Sequence, residues 1–255
     1  MLYRPLFWTS FWAEDWLFTA PNKPYNGATT ILISSASAKT AFCLAYLVQK
    51  RNHPDVKVIG LTSNKNLAFT RGLSLYSSVI TYSDIESNLD GSNGTWVYVD
   101  VAGNDAINSR VLKMLGPRIV RNVSLGLTNL SPSPQSTYVV PVSGVTKSPS
   151  TSTPTSSNPV EFFFMPEWLA ERRQSLTASE IFKMQQAAWT ALMRDCTRWV
   201  LMERTWGTES VRKAYAETVK GVGPEKGMVW SLWDEREGSR WEKELLTGKS
   251  VLGKL

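Results

Sequence analysis

From Thr29 onward, short apolar runs of strand length alternate with longer segments of helical spacing, and this succession constrains the fold more than any other feature. Thr30-Ile-Leu-Ile-Ser-Ser35 reads as a strand, Ala38 to Gln49 as an alanine-rich helix, and Val56-Lys-Val-Ile-Gly60 as a second strand. Lys65 to Gly72 then reads as helix, Val79-Ile-Thr-Tyr82 and Trp96-Val-Tyr-Val-Asp100 as strands, Ala106 to Leu115 as helix and Arg118 to Val123 as strand. Strands apolar on both faces and joined by helices imply crossover connections, hence a parallel sheet covered on both sides. The sequence therefore predicts a doubly wound α/β domain.

The rhythm stops after Gly126. The stretch from Thr146 to Pro159 is almost entirely Ser, Thr and Pro and cannot bury anything, so it is expected as a surface loop. Apolar character returns at Glu161-Phe-Phe-Phe-Met-Pro166. Helices are then predicted over Trp168 to Gln174, Ala178 to Trp206 and Glu209 to Lys220, and a strand or extended piece over Gly227 to Trp233. Glu242 to Leu255 reads as a frayed tail. The expected organisation is an aromatic helical segment (1–28), a nucleotide-binding α/β domain (29–135), a Ser/Thr/Pro-rich loop (136–160), and C-terminal helices with a last strand completing the domain (161–255). Gly221-Val-Gly-Pro-Glu-Lys-Gly227 follows a helix and contains a proline, so it is a connecting turn and not a phosphate loop.

Hydrophobic residues make up 42% of the 255, too many for a disordered chain. A net charge of +6 with only 20% charged residues gives a mildly basic surface and no nucleic-acid signature. Cys43 and Cys196 are the only cysteines and His53 the only histidine, which speaks against a disulfide framework, a zinc site and any Ser-His or Cys-His nucleophile. No apolar run is long enough to cross a membrane, and the N-terminus lacks the features of a signal peptide. A reduced, soluble, cytoplasmic protein is expected. Eleven tryptophans are many for this length. Trp8, Trp12 and Trp16 recur every fourth residue, which places them on one helical face, either packed on the body of the protein or exposed to a substrate or partner.

In an open parallel sheet, ligands bind at the carboxyl ends of the strands, and a phosphate sits on the N-terminus of the first crossover helix. Here that turn is Ser34-Ser-Ala-Ser-Ala-Lys-Thr40, with no glycine. Its small residues allow close backbone approach and its serine hydroxyls can donate to phosphate. The missing glycine removes the easy left-handed conformation, and the same composition would also suit a plain connecting loop. The second strand exits into Gly60-Leu-Thr-Ser-Asn-Lys-Asn66, where an acidic residue would hold a free ribose hydroxyl. The two hydroxyls (Thr62, Ser63), two amides (Asn64, Asn66) and the Lys65 cation instead suit a 2′-phosphate, unless Asn64 only caps the next helix and Lys65 is merely solvated.

Ile33 to Ala41, Val58 to Ser63, Val79 to Tyr82, Tyr98-Val-Asp-Val-Ala-Gly-Asn104 and Phe162-Phe-Phe-Met-Pro-Glu-Trp168 together resemble a branch of the medium-chain dehydrogenase/reductase superfamily catalogued as a domain of unknown function. The similarity runs from about Tyr3 to about Leu232. The resemblance implies a Rossmann domain and zinc-free, NADPH-dependent reduction of a quinone or polarised C=C. It assigns Ser34, Ser35, Ser37, Lys39 and Thr40 to the pyrophosphate turn and Lys65 and Tyr82 to the 2′-phosphate. Asp100 to Asn104, including Gly103, together with Val123 to Thr128, fall to the loops beside the nicotinamide ribose. In the superfamily a GroES-like domain precedes the segment beginning at Tyr3, and the chain is read as lacking it.

Three functional readings follow. The first is an NADP(H)-dependent reductase of a hydrophobic unsaturated or carbonyl compound of polyketide or terpenoid type. The second is a cofactor-independent cyclase, isomerase or pericyclic catalyst in secondary metabolism, with an apolar cavity formed by Phe7, Trp8, Trp12 and Met165. Tyr3, Arg4, Asp100, Glu167 and Arg172 are the candidate catalytic polar groups. The third is a non-catalytic partner subunit docking through its tryptophan-rich face. A homodimer is compatible with all three.

Overall fold

The computed structural model describes residues 3–125 and 159–234, apart from Ala20, Asn22, Asp90 and Ser92. The expected Ser/Thr/Pro loop, the C-terminal tail and most of the loop after Val123 lie outside the described residues. The chain divides into two compact units, residues 1–181 and 182–255.

The first unit is the predicted doubly wound α/β fold. Its strands are β1 (Thr30–Ile33), β2 (Lys57–Thr62), β3 (Ser78–Thr81), β4 (Trp96–Asp100), β5 (Ile119–Ser124) and β6 (Val160–Phe162). They form one sheet in the order β3-β2-β1-β4-β5-β6, and every neighbouring pair is parallel. Chain order reverses between β1 and β4, which makes that junction the switch point where such sheets take ligands. Both central strands are buried along their whole length, which is why their sequences are apolar on both faces.

Two helical layers cover the sheet. On one side, α4 (Ile85–Leu89) and α5 (Asp105–Leu115) close over Leu32, Leu61, Trp96, Tyr98 and Ile119. On the other, α1 (Arg4–Phe18) packs along α2 (Lys39–Arg51) and touches α6 (Met165–Ser175), while the short α3 (Leu67–Gly72) joins β2 to β3. Pro5 sits in the first turn of α1, where its missing N–H costs nothing. Of the tryptophan stripe, Trp12 is fully buried, Trp8 and Trp16 half-buried. Burial of Phe7 and Trp12 stabilises the α1–α2 seam by about 1.5–3 kcal/mol each.

Two buried carboxylates fix α1 in place. Glu14 accepts from the Tyr25 hydroxyl (2.6 Å) and from Arg51 Nε (2.9 Å) and Nη2 (2.5 Å) at the end of α2. Asp15 accepts from Trp168 Nε1 (2.8 Å) and pairs with Arg172 Nε (2.9 Å) on α6. Paired charges of this kind tolerate burial because an opposite charge and further donors face each carboxylate.

The second unit holds most of α7 (Ala178–Asp195), a 3₁₀ turn at Cys196–Arg198, and the sequence β7 (Leu201–Trp206), α8 (Thr208–Val219), β8 (Lys226–Ser231). β7 and β8 pair in parallel. The helix predicted from Ala178 to Trp206 therefore ends at Asp195, and Leu201–Trp206 is a strand. Nothing in the local sequence stops the helix, since no glycine or proline lies between Ala178 and Trp206; pairing with β8 decides it. The connecting segment expected over Gly221 to Gly227 runs from Gly221 to Glu225, and Lys226 and Gly227 already belong to β8. Among the described residues no helix is long and apolar enough to cross a membrane.

Candidate functional site

The turn after β1 has the geometry its sequence argued against. Ser35 takes the left-handed conformation with φ +49°, a position glycine would fill without cost. Ala38 N–H closes the turn onto Ser35 O at 2.7 Å, and Ala36 N–H donates to Leu61 O at 3.0 Å. Gly60, on β2, makes room for it: a Cβ there would lie 2.9 Å from the Ala36 methyl and 3.0 Å from the Tyr76 ring. Tyr76 in turn donates its hydroxyl to Ala36 O at 2.8 Å. The glycine needed for close packing thus sits on the neighbouring strand.

The turn runs into the N-terminus of α2, which has no side-chain cap, since Ala38 has no group to offer. Uncapped N–H groups and the helix dipole favour an anion there. Ser10 ties the first turn of α2 to α1, its hydroxyl 2.8 Å from Thr40 O. Ser37 Oγ accepts from Asn66 Nδ2 at 2.9 Å, which leaves its own proton to donate.

Tyr82 does not stand apart at the end of β3. Its hydroxyl accepts from Ser35 N–H at 3.2 Å and lies 3.5 Å from Ser35 Oγ. Burial raises the phenol above its ordinary value, against two hydrogen bonds from Ser35 that lower it, so Tyr82 carries its proton at neutral pH.

The exit of β2 holds three groups with unspent hydrogen-bonding capacity. Thr62 is 1% exposed, and its Oγ1 is buried with no partner; Ser63 Oγ is likewise buried and unpartnered. Lys65 is exposed and unpaired among the described residues. Asn64 Oδ1 accepts from Ser83 at 3.2 Å, so it joins the ends of β2 and β3 and does not cap a helix. Orphaned buried hydroxyls at the mouth of an anion-favouring turn fit a phosphorylated ribose, whose oxygens would satisfy them.

Across the switch point the groups around Asp100 are engaged, with Ser124 Oγ on the neighbouring strand left without a partner. Asp100, at the end of β4, is 2% exposed. Its Oδ1 accepts from Ser34 Oγ (2.8 Å), Ala102 N–H (2.9 Å) and Gly103 N–H (3.0 Å), and its Oδ2 from Asn108 Nδ2 (2.7 Å). Asn108 Oδ1 accepts from the Tyr98 hydroxyl at 2.6 Å. Ser34 Oγ also accepts from Val101 and Ala102 N–H. Three donors converge on Oδ1 and one on Oδ2 of a carboxylate that is 2% exposed, so Asp100 braces the loop after β4. Asn104 accepts from Ala106 and Ile107 N–H and is the N-cap of α5.

The other candidates are dispersed. Tyr3 is buried edge-on against Phe42 at 6.1 Å, and Arg4 is exposed at the start of α1. Arg172 is held by Asp15, and Glu167 is exposed on the first turn of α6. Phe7 and Trp12 are core residues with no exposed surface, so the apolar cavity expected from Phe7, Trp8, Trp12 and Met165 does not form around them. Trp16 packs on Phe163 and lies under the Arg121 guanidinium, 3.6 Å from its ring centre. Thr62 and Asn66 fall within the group that the sequence suits to a 2′-phosphate, although Asn66 is engaged with Ser37; the packing role of Gly60 against the turn is not legible from the sequence.

The sheet order, the left-handed turn and the uncapped helix define a doubly wound fold of the kind that takes nucleotides at its switch point. The chain belongs to the family described as a protein of unknown function (DUF2855), whose model matches residues 1–223. No curated protein matches the sequence. Among solved structures, CurA of Vibrio vulnificus in complex with NADPH is 11% identical with a TM-score of 0.52, covering 88% of this chain and 61% of its own. The CurK enoyl reductase is 13% identical with a TM-score of 0.51, covering 89% and 60%. At such identity the likeness is one of fold, and the chain spans about three fifths of each of those proteins.

Proposed function

We propose that this protein is an NADP(H)-dependent reductase of a hydrophobic compound bearing a polarised C=C or C=O. The observation that carries the reading is the pairing of an uncapped α2 N-terminus with orphaned hydroxyls and the unpaired Lys65 at the β2 exit. Ser37 and the first-turn N–H groups of α2 would hold the pyrophosphate, and Ser63 and Lys65 the 2′-phosphate. Tyr82 holds Ser35 in its left-handed conformation and so positions the turn. The bound nicotinamide supplies a hydride, and the chain's part is to orient the dinucleotide and exclude water. CurA and CurK, of similar fold, are described with NADPH and as an enoyl reductase respectively, which supports the same direction.

Titrating NADPH and NADH against tryptophan fluorescence tests the reading. Micromolar binding of NADPH, weaker binding of NADH, and loss of that preference in Lys65→Ala are expected. Failure of both nucleotides to bind at millimolar concentration would overturn it. The hydrophobic substrate is sought by following NADPH absorbance with quinones and α,β-unsaturated ketones.

A further inference from the structure

Among the described residues the sheet ends on one side at β3, Ser78-Val-Ile-Thr81. Ser77 N–H donates inward to Val58 O at 2.8 Å, and along a parallel strand the N–H and C=O of successive residues turn alternately to the two sides. The backbone groups of Ser78 and Ile80 therefore face away from β2. Edge strands are commonly closed to further pairing by a charged residue, a proline or a bulge. β3 has none of these: its four residues are uncharged, and its register with β2 runs without a shift.

A cleft of about 440 Å³ follows this edge, lined by Tyr76 to Ile80 together with Arg71 of α3 and Asn88 of α4. Consecutive strand residues joined by one residue from the helix on either face describe a groove whose floor is the strand edge and whose walls are the two helical layers. Its size lies within the range of ligand clefts. The four residues of β3 offer about 13 Å of edge at a rise of about 3.3 Å per residue. Asn88 is tied to Asp84 O (2.9 Å) and Ser87 Oγ (3.3 Å), which fixes the α4 wall. On the opposite wall Arg71 is exposed, and no acidic residue joins it in the lining among the described residues. A guanidinium so placed favours a carboxylate.

We propose that the outer edge of β3 docks an extended acidic peptide of a partner protein, which joins the sheet as an antiparallel strand. Main-chain hydrogen bonds to Ser78 and Ile80 supply affinity, and a carboxylate on alternate residues of the peptide meets Arg71. An antiparallel strand at the rim of an otherwise parallel sheet is a common arrangement. A second copy of this chain pairing through its own Ser78–Thr81 would bring no carboxylate to Arg71. Nucleotide binding is not required for the docking.

Fluorescence anisotropy of the full chain with a fluorescein-labelled hexapeptide of alternating valine and glutamate, and with its valine–lysine counterpart, is the test. Saturable binding of the glutamate peptide, about tenfold or more tighter than the lysine peptide, is expected, with amide hydrogen exchange slowed at Ser78 and Ile80. Ser78→Pro deletes an outward donor at an exposed position and should weaken the glutamate peptide about tenfold or more. Arg71→Glu should reverse the preference between the two peptides, and it carries the test if Ser78→Pro does not fold. Equal affinity for the two peptides, no binding at millimolar concentration, or protection confined to residues outside β3 overturns the proposal. So does a concentration-dependent dimer that protects Ser78 and Ile80 without peptide, which assigns the edge to a second copy.

Discussion

Exchanging Asp100 and Asn108 would show whether the loop beside the switch point is set by a buried hydrogen-bond chain or by packing alone. In Asp100→Asn, Oδ1 can still accept from Ser34, Ala102 and Gly103, but an amide now faces Asn108 Nδ2, donor against donor, across 2.7 Å. Flipping the new amide would aim its NH₂ at two backbone N–H groups, and turning Asn108 over instead sets its NH₂ against the Tyr98 hydroxyl, which must then give up the acceptor for its own proton. The loss of one charge-assisted bond and the orphaning of Asn108 cost about 2–4 kcal/mol. Asn108→Asp alone sets two carboxylates against each other and should cost a similar amount. When Asp100→Asn and Asn108→Asp are combined, the new amide on β4 donates to the new carboxylate on α5. That carboxylate still accepts from Tyr98, so the chain of bonds is restored with its charge moved from the strand to the helix. With a urea dependence of about 2 kcal/mol per molar, each single change lowers the unfolding midpoint by about 1–2 M. The double variant should return to within about 0.5 M of the parent, as double-mutant coupling requires. Midpoints are read by far-ultraviolet circular dichroism. A double variant no more stable than the worse single would refute the network as the cause.

Four further outcomes follow from the same structure. Lys65→Ala should weaken NADPH about tenfold or more and leave NADH unchanged, measured by fluorescence titration, since only the former carries a 2′-phosphate. Gly60→Ala should destabilise by about 1–3 kcal/mol and weaken nucleotide binding, because the added methyl meets Ala36 and Tyr76 at van der Waals overlap; urea midpoints and nucleotide titrations together check it. Trp12→Ala should cost about 3–5 kcal/mol in urea unfolding, as for any fully buried aromatic. The Arg110 guanidinium holds the exposed Glu86 carboxyl down to about 2. Because the folded value lies below the unfolded one, the pair contributes above the ordinary carboxylate range and is lost as pH falls toward 2. Carbon-13 titration of Glu86 should show the low value, and Arg110→Ala should return it to normal.

The α/β alternation was readable because both of its determinants are local: doubly buried strands are continuous apolar runs, and their crossover helices carry helical spacing. Features decided by distant partners were not readable. Leu201–Trp206 continues a helical pattern in sequence and becomes a strand only because Lys226–Ser231 lies beside it. Glu14 and Asp15 look like ordinary surface acids of α1 until Arg51, Trp168 and Arg172 are brought to them. The glycine-free turn suggested weakened backbone geometry, yet Ser35 reaches the left-handed region with Tyr82 holding its N–H, and the required small residue is Gly60 on the next strand. Asp100 has the composition of a catalytic acid and the surroundings of a brace. Its identity as a brace depends on Ser34 and Asn108, which only the fold assembles around it.

A crystal structure of the protein grown with NADPH would show whether a nicotinamide nucleotide lies over the turn after β1. Density for the pyrophosphate over Ser34 to Thr40, with the 2′-phosphate against Ser63 and Lys65, is the predicted result. A nucleotide bound elsewhere, or that turn left empty at saturating NADPH, would contradict it.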